Sequence, residues 1–204
     1  MGLWRNLFGP GQNEVWSGIA KEIDADYTPS GWARKGRIDL HRDNFIITLD
    51  TYTMSSAESS ATYTRMRSPF KNPNKLAMNI YRENIFSWVG KLLGMSDIAI
   101  GDAFFDKEFI VQGSPEPKIK MFLQDAKLKL LIKAQPSVWF KIRKDNGWFS
   151  KQYPDGIDEL YFQCSGVVKD EARLKQLFEL FTFSVDKLSE IDPGCRFGIN
   201  IVPK

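Results

Sequence analysis

Leu174, Phe178, Phe181, Val185 and Leu188 recur at intervals of four, three, four and three, with Leu177 three residues after Leu174. That spacing lines one face of an α-helix. Asp170 and Glu171 stand at the positive end of its dipole, and Asp192-Pro193-Gly194 stops it. Six such side chains contribute roughly 1.5–3 kcal/mol each when fully buried, so on the order of 9–18 kcal/mol gross before conformational entropy is subtracted. A helix with that much apolar surface requires a partner surface, and the rest of the chain has to supply it.

The surface expected is an antiparallel sheet. Lys35 to Arg42 and Asn44 to Thr53 read as extended segments around a break at Arg42-Asp43-Asn44, with Phe45, Ile47 and Leu49 facing one way. The triplets Thr51-Tyr52-Thr53 and Thr62-Tyr63-Thr64 flank a loop-like stretch, Met54 to Ser60, as two arms of a hairpin would. Further extended segments are expected at Leu76 to Arg82, Glu108 to Gln112, Val138 to Arg143 and Leu160 to Ser165, with Arg196 to Val202 as a closing edge strand. Asn13 is placed to cap a first helix with the stripe Val15, Trp16, Ile19, Ala20 and Ile23. Ile85, Phe86, Trp88, Val89, Leu92 and Leu93 predict a buried helix ended by Gly94. Ser114-Pro115-Glu116 predicts another helix start, with Ser114 as cap and Ile119, Phe122, Leu123, Ala126 and Leu130 on one face. The fold class that follows is α+β, a mostly antiparallel sheet with packed helices. It forms a single domain over residues 1–204, with two similar halves as possible substructure, 12–95 and 96–204.

Charge narrows the partner classes. The 28 Lys and Arg exceed the 25 Asp and Glu by three and are mixed with them along the chain, which argues against a nucleic-acid surface. Lys118, Lys120, Lys127, Lys129 and Lys133 line one helical region, where a solvated face and a weak polyanion or membrane-surface site compete as readings. Leu3, Trp4, Leu7 and Phe8 form a short apolar arm within residues 1–9, suited to docking on the protein body or to peripheral membrane contact. The arm lacks the roughly 7–15-residue apolar centre of a signal peptide, and a cytoplasmic setting is the expectation.

Chemistry-bearing motifs are sparse. Cys164 and Cys195 have only His41 as an imidazole partner, too few ligands for a zinc knuckle, and both read as buried thiols. Leu40-His41-Arg42-Asp43 has the letters of a kinase catalytic loop, but Thr48 stands where that loop needs Asn. Asp97, Asp102, Asp106 and Glu108 cluster in sequence; Asp97, Asp102 and Asp106 are the candidate ligands for a hard divalent cation, and the acids around Asp102 and Asp106 are those of an alternative reading as a hydrolase, with or without that metal, while turn chemistry is the competing reading. Trp139, Phe140, Trp148, Phe149 and Tyr153 alternate with Lys141, Arg143, Lys144 and Lys151. From this stretch Trp139, Trp148, Lys141 and Arg143 are the candidate ligand-binding residues, with aromatic rings for contact and cations for attraction. No motif for a cofactor is present, and none is expected.

The run Phe105-Asp106-Lys107-Glu108-Phe109-Ile110-Val111-Gln112-Gly113 precedes a Pro-containing helix start, two strands and the long helix from Asp170. Over roughly Ser96 to Glu190 this arrangement resembles a group of uncharacterised bacterial proteins with a domain of unknown function. The resemblance implies an α+β fold and a bacterial cytoplasmic setting, and it carries no catalytic residue across. The functional expectation is a non-catalytic module binding an unidentified protein or small-molecule partner.

Overall fold

The computed structural model describes residues 10–32, 34–42, 44–55, 59–82, 96–144 and 153–198. The helices among them are α1 (Gln12–Glu22), α2 (Ala103–Glu108), α3 (Glu116–Leu123), α4 (Ala126–Lys133) and α5 (Glu171–Ile191). The strands are β1 (Asp26–Thr28), β2 (Arg37–Arg42), β3 (Phe45–Ser55), β4 (Ser60–Lys71), β5 (Ala77–Arg82), β6 (Phe109–Ser114), β7 (Trp139–Lys144), β8 (Ile157–Ser165) and β9 (Arg196–Phe197). The fold is α+β. One antiparallel sheet runs in the order β1-β2-β3-β4-β8-β7-β5-β6, and β9 pairs with β4.

The α5 stripe behaves as its spacing requires, since Leu174, Leu177, Phe178, Phe181, Val185 and Leu188 are all buried. Asp170 caps the helix by accepting from Arg173 N. The apolar face of the sheet meets these residues through Leu49, Met66, Phe70, Ile80, Phe140, Leu160 and Phe162, within one core that extends from Val15 to Phe197. Phe140 of β7 packs edge-on against Phe181 with ring centroids 5.7 Å apart. Trp16 of α1 donates its indole N–H to Val168 O, tying the first helix to the approach of the last.

The hairpin read from the two Thr-Tyr-Thr triplets is present, with Thr51, Tyr52 and Thr53 opposite Thr64, Tyr63 and Thr62. Gly113 closes β6 where no side chain fits: a Cβ there would lie 2.5 Å from Ala77 O and 2.8 Å from Ile119 Cγ1.

Several expectations need correction. Gly11, not Asn13, caps α1. Asn13 Oδ1 instead accepts from Tyr27 Oη, Ser30 N and Ser30 Oγ, pinning the segment after β1. The sequence reading had no helix at 103–108, where Asp102 caps α2. Pro115 rather than Ser114 is the cap of α3. The single helix expected beyond it is two, because Asp125 accepts from Lys127 N and Leu128 N and starts α4 afresh. The restart rotates the buried set to Leu128, Leu131 and Ile132 and leaves Leu130 exposed. Strand β4 runs through Pro69 to Lys71. Pairing with β3 stops at Arg67 and pairing with β9 begins at Phe70, so one side of position 69 has no strand partner to disappoint. Of the closing edge strand expected over Arg196 to Val202, Arg196–Phe197 pairs with β4 at Phe70 and Lys71, and residues 199–202 lie outside the described residues. The helix read over 85–94, the arm 1–9 and Trp148 lie outside the described residues. No helix among the described residues is long and apolar enough to cross a membrane.

Candidate functional site on the polar face of the sheet

A strand side chain points to one face or the other with period two, so residues opposite one another across a sheet form rows on the same face. The register of β3, β4, β8 and β7 sets three such rows on the face away from α5. Asp50, Arg65, Gln163 and Trp139 form one, Thr48, Arg67, Tyr161 and Lys141 the next, and Pro69, Glu159 and Arg143 the third. These rows hold four cations and two carboxylates, an excess of two positive charges.

Three of the cations are consumed by the two acids. Asp50 accepts from Arg65 Nε at 2.5 Å and Nη2 at 3.0 Å, and from Arg67 Nη2 at 2.9 Å. Glu159 Oε2 accepts from Arg143 Nε at 3.0 Å and from Arg143 Nη2, while Glu159 Oε1 lies 3.6 Å from Arg67 Nη1. Asp50, Arg67 and Glu159 are buried, so this chain of charge-assisted contacts spans four strands with little help from water.

Lys141 is the fourth cation, and among the described residues no carboxylate reaches it. Its Nζ lies 3.6 Å from the centroid of the Trp139 ring and 5.6 Å from that of Tyr161. A ring face attracts a cation, but less than a carboxylate would. Burial, helped by the neighbouring Arg143 charge, brings the Lys141 amine down from 10.5 to about 8.

Trp139 is held by a relay across β7, β5 and β6. Its Nε1 donates to Asn79 Oδ1 at 2.8 Å, Asn79 Nδ2 donates to Gln112 Oε1 at 3.3 Å, and Gln112 Nε2 donates to Asp97 Oδ1 at 2.9 Å. Beside Trp139 the face dips into a recess of about 240 Å³ lined by Tyr63, Ser137, Val138, Trp139, Gln163, Cys164 and Ser165. Gln163 Oε1 is occupied twice, accepting from Tyr52 Oη at 2.6 Å and Tyr161 Oη at 2.9 Å. Tyr52 stacks on Tyr63, with centroids 5.3 Å apart, and burial raises its phenol.

Of the residues singled out from sequence, Trp139, Lys141 and Arg143 therefore come together on one face of β7. The acids do not gather. Asp97 ends the Trp139 relay, Asp102 caps α2 and pairs with Lys129 at 2.6 Å, and Asp106 accepts from Ile100 N and Gly101 N. Hydrogen bonding to Lys129 and then to Phe105 N holds Asp102 below the usual carboxylate range. Among the described residues no group of three or more His, Cys, Asp or Glu converges as a metal site. The five lysines of the helical region are each ion-paired, with Asp192, Glu116, Glu179, Asp102 and Glu108, so their charge is neutralised locally. Cys164 and Cys195 are free and buried, and burial raises both thiols.

Sequence reasoning missed Asp50, Arg65, Arg67, Glu159, Tyr161 and Gln163. The available signal was alternation, since Arg65 and Arg67, like Glu159, Tyr161 and Gln163, stand two residues apart on strands whose other face is apolar. Comparison with known proteins finds no family model, no curated protein and no solved structure that matches this chain.

Proposed function

We propose that this protein is a non-catalytic binding module whose ligand is a small organic anion held on the polar face of the sheet at Trp139 and Lys141. One observation carries the reading. The Lys141 ammonium rests on an indole with no carboxylate among the described residues, while every neighbouring arginine of the rows is already bound to one. A partly desolvated cation without a counter-ion gains more from an arriving anion than an exposed lysine does.

The adjoining recess gives such an anion a seat for its body, and the relay from Asp97 fixes the indole that both lines the recess and carries the Lys141 ammonium. Preorganised groups bind without an ordering cost at the moment of contact. The acids that suggested a hydrolase are engaged in a cap, a turn and the relay, and no observation favours that reading.

A thermal-shift panel of small carboxylates, neutral polyols and amines tests the proposal. Carboxylates at about a hundredfold excess over Kd are expected to add about 2.7 kcal/mol of stability to the wild type. Trp139→Ala is expected to abolish the effect while keeping the fold by circular dichroism. Stabilisation by amines, by no class at all, or equally in Trp139→Ala would contradict it.

A further inference from the structure

The recess beside Trp139 has a composition that narrows the ligand class, and this inference rests on the binding-surface reading above. Its volume of about 240 Å³ lies below the roughly 300–1,000 Å³ of sites for drug-sized ligands, which suits one ring better than a nucleotide. Two aromatic side chains, Tyr63 and Trp139, line it. No side chain lining it is charged.

Its polar groups are unspent. Gln163 is 7% exposed, and because its Oε1 already takes two tyrosine hydroxyls, its Nε2 is a donor with no partner among the described residues. The hydroxyls of Ser137, Ser165 and Tyr63 likewise have no hydrogen-bond partner among the described residues. A hydroxyl both donates and accepts, so three hydroxyls and an amide match a ligand rich in hydroxyls. A purely apolar or aromatic ring would cover these groups and leave them unsatisfied. Aromatic faces are negative and favour the polarised C–H groups of a saturated ring. Lys141, on the same indole, adds one full positive charge. It is a point charge, and the arginine forks nearby are filled by Asp50 and Glu159, which favours a singly charged carboxylate over a phosphate.

We infer that the recess binds a single carboxylate-bearing sugar ring of the hexuronic acid class, the ring against Trp139 and Tyr63, its hydroxyls on Gln163, Ser137 and Ser165, and its carboxylate toward Lys141.

Isothermal titration of the full chain with glucuronate, glucose, glucose 6-phosphate and benzoate tests the assignment. Glucuronate is expected to bind best, with glucose weaker by roughly tenfold or more, the worth of one charge-assisted contact. Lys141→Met should bring glucuronate down to the level of glucose. Ser165→Ala, at an exposed position, should weaken both sugars, with circular dichroism showing the fold retained. Benzoate binding as well as glucuronate would overturn the sugar class and leave the anion-binding face standing. Tighter binding of glucose 6-phosphate would overturn the carboxylate. Silence of all four overturns this inference, and only if the wider panel of small acids is also silent does the binding-surface reading fall with it.

Discussion

Glu159→Ala is expected to lower the unfolding free energy by about 3–5 kcal/mol, the usual consequence of removing one partner from a buried ion pair. Glu159 is 1% exposed and stands between Arg67 and Arg143, so its loss removes the carboxylate that both guanidinium groups share beside Lys141, while Arg67 keeps Asp50. Repulsion among those cations adds to the lost contacts. Urea denaturation reads the effect as a fall in midpoint at constant slope. Removing Arg143 as well, in Glu159→Met with Arg143→Met, should recover much of the loss, because an apolar pair leaves no uncompensated charge. A change below about 1 kcal/mol in the single variant would mean that water reaches this face freely, contrary to the burial described.

Phe181→Ala carries a comparable expectation, about 3–5 kcal/mol, for a different reason. Phe181 is fully buried, and its ring meets Phe140 of β7 edge-on. Truncation opens a cavity that the helix and sheet close only in part. Phe140 lies between Trp139 and Lys141 in sequence, so the same cavity loosens the strand that presents both. Denaturation of the variant checks the magnitude, and a loss below about 1.5 kcal/mol would contradict α5 as the main cover of the sheet.

These two variants mark the boundary of what the sequence discloses. Helix α5 is legible because its stripe is local, with six apolar residues, a capping Asp170 and a stop at Asp192-Pro193-Gly194. The β3–β4 hairpin is legible for the same reason, its arms being near in sequence and nearly identical. The break at Asp125 is harder to see, since apolar spacing runs on through it and only the competition of one short side chain for backbone N–H groups restarts the helix.

The site divides the same way. Trp139, Lys141 and Arg143 alternate on one strand, so their shared face follows from period two alone. Their counter-charges do not follow. Glu159 meets Arg143, and Asp50 meets Arg65 and Arg67, through cross-strand register, and β8 and β7 enter the sheet between β4 and β5 against the order of the chain. That Lys141 meets no carboxylate among the described residues of this face is a property of that register. Likewise, Asp97 reads as a cation ligand in sequence and becomes the end of a relay to Trp139 once β5, β6 and β7 are side by side.

The account rests on Lys141 being a partly desolvated ammonium that no carboxylate among the described residues reaches. Its titration can be followed by NMR of the lysine side chains, assigned with Lys141→Met. The expected midpoint is about 8, against 10.5 for an ordinary lysine, and binding of an organic acid should move it upward. In that window the unfolded chain holds more protons than the folded one, so wild type should gain stability relative to Lys141→Met as pH rises from about 8 to 10.5. A midpoint at or above 10.5, unmoved by any small acid, would contradict the account.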